Sequence, residues 1–271
     1  MAVLVLLAAC AGSLEPAWRL VTPAGMSPTS MFSGPTGLFV GGNSVPPDSG
    51  PVLVVRDGDS WRGVSVAPTT GYGQVATLDQ VAVDPRGRVV ALGNATGGAH
   101  LNPRRTAWIG DPAGIVEEPQ TVETFGGNEA GGITDVVYGD EPLVVGEWSL
   151  APGGIGIAVW RHQGMTWVRQ PSPAVFVGSP PLVAESATAA SAAGPETVIV
   201  GLETTLAEGG VHQRAVLWRS DGPIWHRTDL DTSDRDSAAT DVSCAGSSCL
   251  VVGRLGDTLA AWWVTGDSAG P

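Results

Sequence analysis

Two carboxylates stand at matching places in the chain. Asp135 follows Thr134, Asp241 follows Thr240, and Gln80 holds the same place earlier on. A pair of carboxyls across a cleft, one with a raised pKa, is what acid–base cleavage of a glycosidic bond needs. Residues that recur at equivalent positions are better explained as hydrogen bonding between repeated units, because asymmetry is the mark of a site. The non-recurring residues are therefore the stronger ligand-binding candidates: Asn94, Glu147, Trp148, Glu203 and Arg254. His100, Arg104, Arg105, Glu208 and His212 fall in the same kind of loop. A tryptophan beside a carboxylate, as at Glu147-Trp148, can stack a sugar ring or hold a cationic group; the alternative is a rim tryptophan packed on its own loop.

The other reactive side chains suggest export rather than catalysis. Met1 to Ala9 is an unbroken apolar run that ends in Leu7-Ala8-Ala9-Cys10. Small residues before a cysteine resemble the lipobox of bacterial lipoproteins, in which the cysteine thiol takes a diacylglyceryl group. No Arg or Lys precedes the run, which departs from the usual signal, so an ordinary cleaved signal or a buried cysteine is the other reading. If Cys10 is lipidated, Cys244 and Cys249 remain as an even pair, and an exported chain favours a disulfide between them. Gly246, Ser247 and Ser248 between them suit a tight hairpin. Two cysteines with no nearby His make a poor metal site. Asp229, Asp231, Asp234 and Asp236 form an acidic loop that oxygen chemistry would suit to calcium. Their spacing fits no calcium-binding loop and no glycine makes the turn, so no cofactor or metal is expected.

The elements that must position these residues repeat. An apolar strand ending in glycine recurs five times, at Leu38–Gly41, Val90–Gly93, Leu143–Gly146, Val198–Gly201 and Leu250–Gly253. The glycines lie 52, 53, 55 and 52 residues apart. A short strand precedes each copy, and after a polar loop a third strand follows. In three copies that strand runs through a turn ending in glycine to a tryptophan three residues on, at Trp61, Trp167 and Trp225. The second copy diverges, with Ile115-Val116 in the place of the tryptophan strand. The fifth copy stops after three strands, and Ala17-Trp18-Arg19-Leu20-Val21 resembles the missing fourth. Four strands per unit and about 53 residues per period describe an all-β, five-bladed β-propeller with four-stranded antiparallel blades. Its ring would be closed by the N-terminal strand completing the last blade, which protects the edge strands. The expected organisation is a targeting segment over 1–10, one propeller domain over 15–267 and a tail over 268–271.

Composition sets the outer bounds. Hydrophobic residues make up 43% of the 271 and charged residues 15%, which excludes a disordered chain. With 38 glycines and 21 prolines, many short strands joined by turns are favoured. The net charge of −13 repels phosphate backbones and anionic lipid headgroups, so nucleic acid is a poor partner. No segment after the N-terminal run reaches the ~18 apolar residues of a membrane helix.

The Asp57-Gly58-x-x-Trp61 and Asp221-Gly222-x-x-Trp225 turns resemble the Asp-box (BNR) turn of sialidase-like propellers. They are similar also to exported propeller repeats of actinobacteria, whose blades often carry a cysteine pair. The resemblance runs from Trp18 to Thr265 and implies the fold alone. The family pattern has one residue between Asp and Gly, whereas here the two are adjacent. A sialidase would need an arginine cluster and a tyrosine nucleophile; only Tyr72 and Tyr138 exist, so no catalytic residue carries over. The expected function is an exported, monomeric, lipid-anchored module binding a protein or cell-envelope glycan on its loop face, outside the cytoplasmic membrane. The alternatives are a glycoside hydrolase or lyase with an acidic funnel site, and a structural factor in an envelope complex.

Overall fold

Alternating and continuous apolar strands, punctuated by glycine turns, give a chain that runs up and down throughout. In the computed structural model the described residues are 23–47, 49–97, 102–150, 154–178, 182–230, 233, 235–266 and, for backbone only, 268–270. The expected closing strand at Ala17 to Val21 and the expected lipid site Cys10 lie outside them.

Among the described residues twenty strands form five antiparallel runs of four. The first is β1 (Met26–Gly34), β2 (Gly37–Ser44), β3 (Pro51–Asp57) and β4 (Ser60–Ala67). The second is β5 (Thr77–Val83), β6 (Val89–Thr96), β7 (Pro103–Asp111) and β8 (Gly114–Glu118). The third is β9 (Ala130–Tyr138), β10 (Pro142–Ser149), β11 (Ile155–Gln163) and β12 (Thr166–Arg169). The fourth is β13 (Val183–Ala193), β14 (Glu196–Ala207), β15 (Gly210–Asp221) and β16 (Ile224–Asp229). The fifth is β17 (Ser237–Ala245), β18 (Ser248–Leu255), β19 (Thr258–Thr265) and β20 (Ser268–Gly270). The five glycine-ended segments of the sequence are the second strands, and the arrangement is an all-β propeller.

Two features differ from the sequence expectation. The hydrogen-bonded sheets number four, because β4 and β8 pair in parallel through Ser65 to Ala67 and Gly114 to Val116. Gly114 permits this approach: a Cβ there would sit 3.3 Å from that of Ser65. The fifth run also has an outer strand of its own, since Ser268–Gly270 pair with Trp263–Thr265. The expected C-terminal tail is thus partly strand.

The repeated glycines have a common cause. In each run the first strand carries a bulge, at Thr29, Asp79, Thr134, Thr188 and Thr240, beside the glycine of the second strand. A bulge pushes the backbone out of the pleat and sharpens the bend. A Cβ on Gly146, Gly201 or Gly253 would fall under 3.0 Å from the first-strand carbonyl of Gly132, Ser186 or Ala238. At Gly41 and Gly93 the oxygens of Ser30 and Thr106 stand in the same place.

In the first four runs the bulged residue, or in the second run the residue after it, also reaches the next run. Thr29 donates to the Leu78 carbonyl at 2.6 Å, Gln80 to that of Thr134 at 2.7 Å, and Thr188 to that of Ala239 at 2.9 Å. Thr134 reaches Ala187 at 3.4 Å. Thr240 in the last run instead donates to Val252 of its own sheet.

Four apolar clusters fill the spaces between consecutive runs. Trp108, Trp160 and Trp218 on the third strands are fully buried. The loops entering the third and fourth runs each insert a phenylalanine against the third-strand and fourth-strand tryptophans of their run. Phe125 lies 5.7 Å from Trp160 and 6.1 Å from Trp167, and Phe176 lies 6.4 Å from Trp218 and 4.9 Å from Trp225. The carbonyl just before each phenylalanine takes the indole proton, Thr124 from Trp160 at 2.7 Å and Val175 from Trp218 at 2.8 Å. The buried indole N–H groups of Trp160 and Trp218 are thereby satisfied, while that of Trp167 is buried without a partner among the described residues.

No apolar cluster among the described residues joins the fifth run to the first. In the fifth run Leu250 and Val252 of β18 and Trp263 of β19 are exposed. Cys244 and Cys249 face each other across the β17–β18 hairpin and form a disulfide.

The close approach at the second-strand glycines yields a direct test. Gly201→Ala should cost about 3 kcal/mol, because a backbone carbonyl cannot yield as a side chain would. Gly63→Ala, where a Cβ meets nothing within 4 Å, should change stability by less than about 1 kcal/mol. Denaturant unfolding of the two variants measures both.

Candidate functional site

The first strands converge on one cavity of about 610 Å³. Every run contributes: Phe32 and Ser33 from β1, Val81 and Val83 from β5, Asp135 to Tyr138 from β9, Ala190 to Ala192 from β13, and Asp241 to Cys244 from β17. Pro35 and Pro85, in the turns leading to the second strands, also line it, so the cavity lies toward that end of the molecule. The ligand site expected on the opposite, loop-bearing end is therefore not where the runs converge. Strand alternation makes the wall mixed, with apolar side chains interleaved with the hydroxyls of Ser33, Ser191 and Ser243.

Asp135 and Asp241 are brought together here, and they differ. Asp135 accepts the amide protons of Val136 and Ala190, each at 2.8 Å, which ties β9 to β13. Burial pushes its carboxyl up to about 6, opposed by those two hydrogen bonds and assisted by the Asp241 charge. Asp241 accepts only the Val242 amide proton at 2.8 Å among the described residues, and it is exposed. It stands in the last run, and among the described residues it accepts no hydrogen bond from a strand of another run. Two residues of one repeat position thus divide into a structural carboxylate and one that faces the cavity.

The loop-side candidates are spread over separate runs. Trp148, a candidate for stacking a ligand or else a rim tryptophan packed on its own loop, is 7% exposed. Its indole donates to Glu129 at 3.0 Å, its ring lies 5.9 Å from Trp160, and the Arg169 guanidinium sits 4.6 Å over it. The ring is a core element with its face already occupied. The Cβ of Glu147 packs where Gly131 has no side chain. Asn94 pairs in register with Arg105, and its Oδ1 is buried with no partner. Arg254 donates to Gln213 across from β18 to the loop-side end of β15.

Glu203 belongs to a charge network that the sequence reading did not find. On one sheet, Glu185 of β13 lies opposite Glu203 of β14. Arg227 of β16 bridges both, at 3.2 and 2.7 Å, and also contacts Asp229. Asp229 pairs further with Arg214 at 3.0 Å. Three carboxylates share two guanidiniums, and Glu185 is the one left 3% exposed with Oε2 unpartnered. Burial pushes its carboxyl up to about 7, against the pull of Arg227 and with the push of Glu203. The network joins residues 24 and 42 positions apart, so spacing along the chain carried no signal of it. Of the acidic loop once weighed for calcium, Asp229 is taken by arginines and Asp236 accepts the Gln213 amide proton. Asp231 and Asp234 lie outside the described residues.

Among the described residues no helix is long and apolar enough to cross a membrane. No family model matches the chain, and no curated protein matches it. Among solved structures it is similar to an endo-arabinanase from Bacillus licheniformis. That match has 11% identity over 90% of this chain and 95% of the other, with a TM-score of 0.41. It is also similar to a mutant Aleuria aurantia lectin in complex with alpha-methyl-L-fucoside, at 12% identity over 92% and 96%, TM-score 0.36. A third is a glycosyl hydrolase from Bacteroides ovatus, at 10% identity over 90% and 85%, TM-score 0.39.

Both raised carboxyls make the folded protein bind protons more tightly than the unfolded chain. The Glu185 contribution is complete below pH 4.5 and lost as pH rises through about 7; that of Asp135 is complete below 3.8 and lost through about 6. Melting temperature should therefore fall as pH is raised from about 4 to about 7. Glu185→Gln, which can still accept from Arg227, should remove the part of the fall between pH 6 and 7. Thermal melts across that range measure it.

Proposed function

We propose that the chain is an exported, lipid-anchored five-bladed propeller that binds a neutral glycan in its axial cavity. The observation that carries this reading is the cavity of about 610 Å³ shared by the first strands of all five runs. Its size suits one or two sugar units, and pockets of this kind bind through apolar walls with a few fixed polar groups. Hydroxyls of the ligand would meet the carboxylate of Asp241 and the serine side chains. Apolar ring faces would meet Phe32, Val81 and Val242. The carboxylates repel an anionic ligand, which favours a neutral sugar.

Binding is preferred to hydrolysis for a geometric reason. An acid catalyst must point a free oxygen at the leaving group, but both Asp135 oxygens already accept backbone amide protons. The five-blade reading counts each four-strand run as one blade and takes the parallel β4–β8 contact as an added seam. Anchoring through Cys10 accords with the disulfide, which an exporting compartment supports.

Calorimetric titration with a panel of neutral oligosaccharides should find a ligand whose affinity drops at least ~10-fold in Asp241→Ala, a loss of about 1.4 kcal/mol. Product release from any of them would point to hydrolysis instead, and no binding across the panel would reject the reading. Mass spectrometry of the protein expressed with its N-terminus in a bacterium should show an acylated Cys10; a mature product beginning elsewhere would reject the anchor.

A further inference from the structure

A second pocket, of about 450 Å³, lies between the second and third runs at the loop-bearing end. Arg104 and Arg105 of β7 form one wall, and the glycine-rich stretch Gly126 to Gly132 leading into β9 forms the other. None of the residues lining it carries a carboxylate, although the chain has 27 acidic residues against 14 basic ones. Four other cavities among the described residues each include Asp or Glu.

The two arginines are held differently. Arg105 is fixed by Asp79 at 2.6 Å, and that contact neutralises much of its charge. Arg104 has no carboxylate or hydrogen-bond partner among the described residues; its guanidinium rests 5.8 Å over the Tyr72 ring. It is half-buried, so its charge is screened less than that of a surface arginine. A smaller pocket of about 120 Å³ shares Pro103, Arg104, Arg105, Val122, Phe125 and Gly126 and extends the space toward Tyr72. Glu117 borders this extension, but its carboxylate is already saturated. It accepts from the amides of Thr69 and Thr70 at 2.7 and 2.8 Å and from the Thr70 hydroxyl at 2.6 Å.

The opposite wall adds neutral donors. Gly127 and Gly132 have φ of +97° and +148°, and a Cβ at either would meet nothing within 4 Å. That wall is therefore bare of side chains at both positions. Asn102 and Asn128 add side-chain amides, while Val122, Phe125 and Ile133 supply an apolar floor. A guanidinium with no internal partner, bare backbone and a flat apolar surface together suit a ring that carries a carboxylate.

We infer that this inter-run pocket binds a carboxylated sugar, with Arg104 pairing the carboxylate. Planar bidentate pairing favours a carboxylate on a guanidinium. The pocket is separate from the axial cavity and uses none of its residues, so the two readings stand or fall apart.

The test is calorimetric titration with glucuronate, and with glucose as the neutral match. Glucuronate should bind at least 10-fold tighter than glucose and weaken as salt is raised. Arg104→Gln should lose at least 10-fold in glucuronate affinity with an unchanged melting temperature, and Arg104→Lys should fall between. Asp241→Ala should leave glucuronate binding intact. Equal binding of the two sugars, no glucuronate binding, an unaffected Arg104→Gln variant or a loss in Asp241→Ala would each overturn the inference.

Discussion

At Gly146, Gly201 and Gly253 the second strand of a run lies so close to a first-strand carbonyl that no side chain fits between them. That contact exists because the first strand is bulged at this point. The bulge does two things at once. It bends the innermost strand, and it turns a threonine out of the pleat so that its hydroxyl reaches the carbonyl of the next run. Removing the glycine would force the bulge flat and withdraw that hydrogen bond. Packing between runs and curvature within them are thus set by one backbone constraint, repeated.

The same constraint creates the axial cavity. Hydrogen bonds between bulges hold the first strands as a wall, and strand alternation gives that wall both apolar and hydroxyl groups. Asp135 shows how far the repeat absorbs polar side chains: both its oxygens are spent on joining β9 to β13. Asp241 occupies the equivalent place where the series ends and keeps its carboxylate exposed. Equivalent residues thus differ in exposure with no change in residue type.

Charge is handled locally on a chain whose net balance is strongly negative. Arg227 gathers Glu185, Glu203 and Asp229 on one sheet, and Arg219 pairs with Glu196 at 2.8 Å. Buried carboxylates left to themselves would take up protons, and Glu185 goes part of that way even beside Arg227. Arg104 is stacked on an aromatic ring, which fixes the guanidinium without cancelling its charge.

The spacing of the second-strand glycines was legible in the sequence, and with it the order of the strands and the pairing of Cys244 with Cys249. These depend on contacts within one run, which recur and so leave a periodic trace. The insertion of Phe125 and Phe176 against tryptophans was not legible, because loop residues lack the alternation that marks a strand. Nor was the burial of Trp148, whose face is covered by Arg169 from another strand. The outer strand at Ser268–Gly270 was missed because three residues carry no pattern. By itself the sequence determined what repeats, since local backbone geometry dictates glycine, turn and strand wherever they occur. Only the tertiary structure decided which equivalent residues differ, because partners such as Ala190 for Asp135 or Arg227 for Glu185 come from strands distant along the chain.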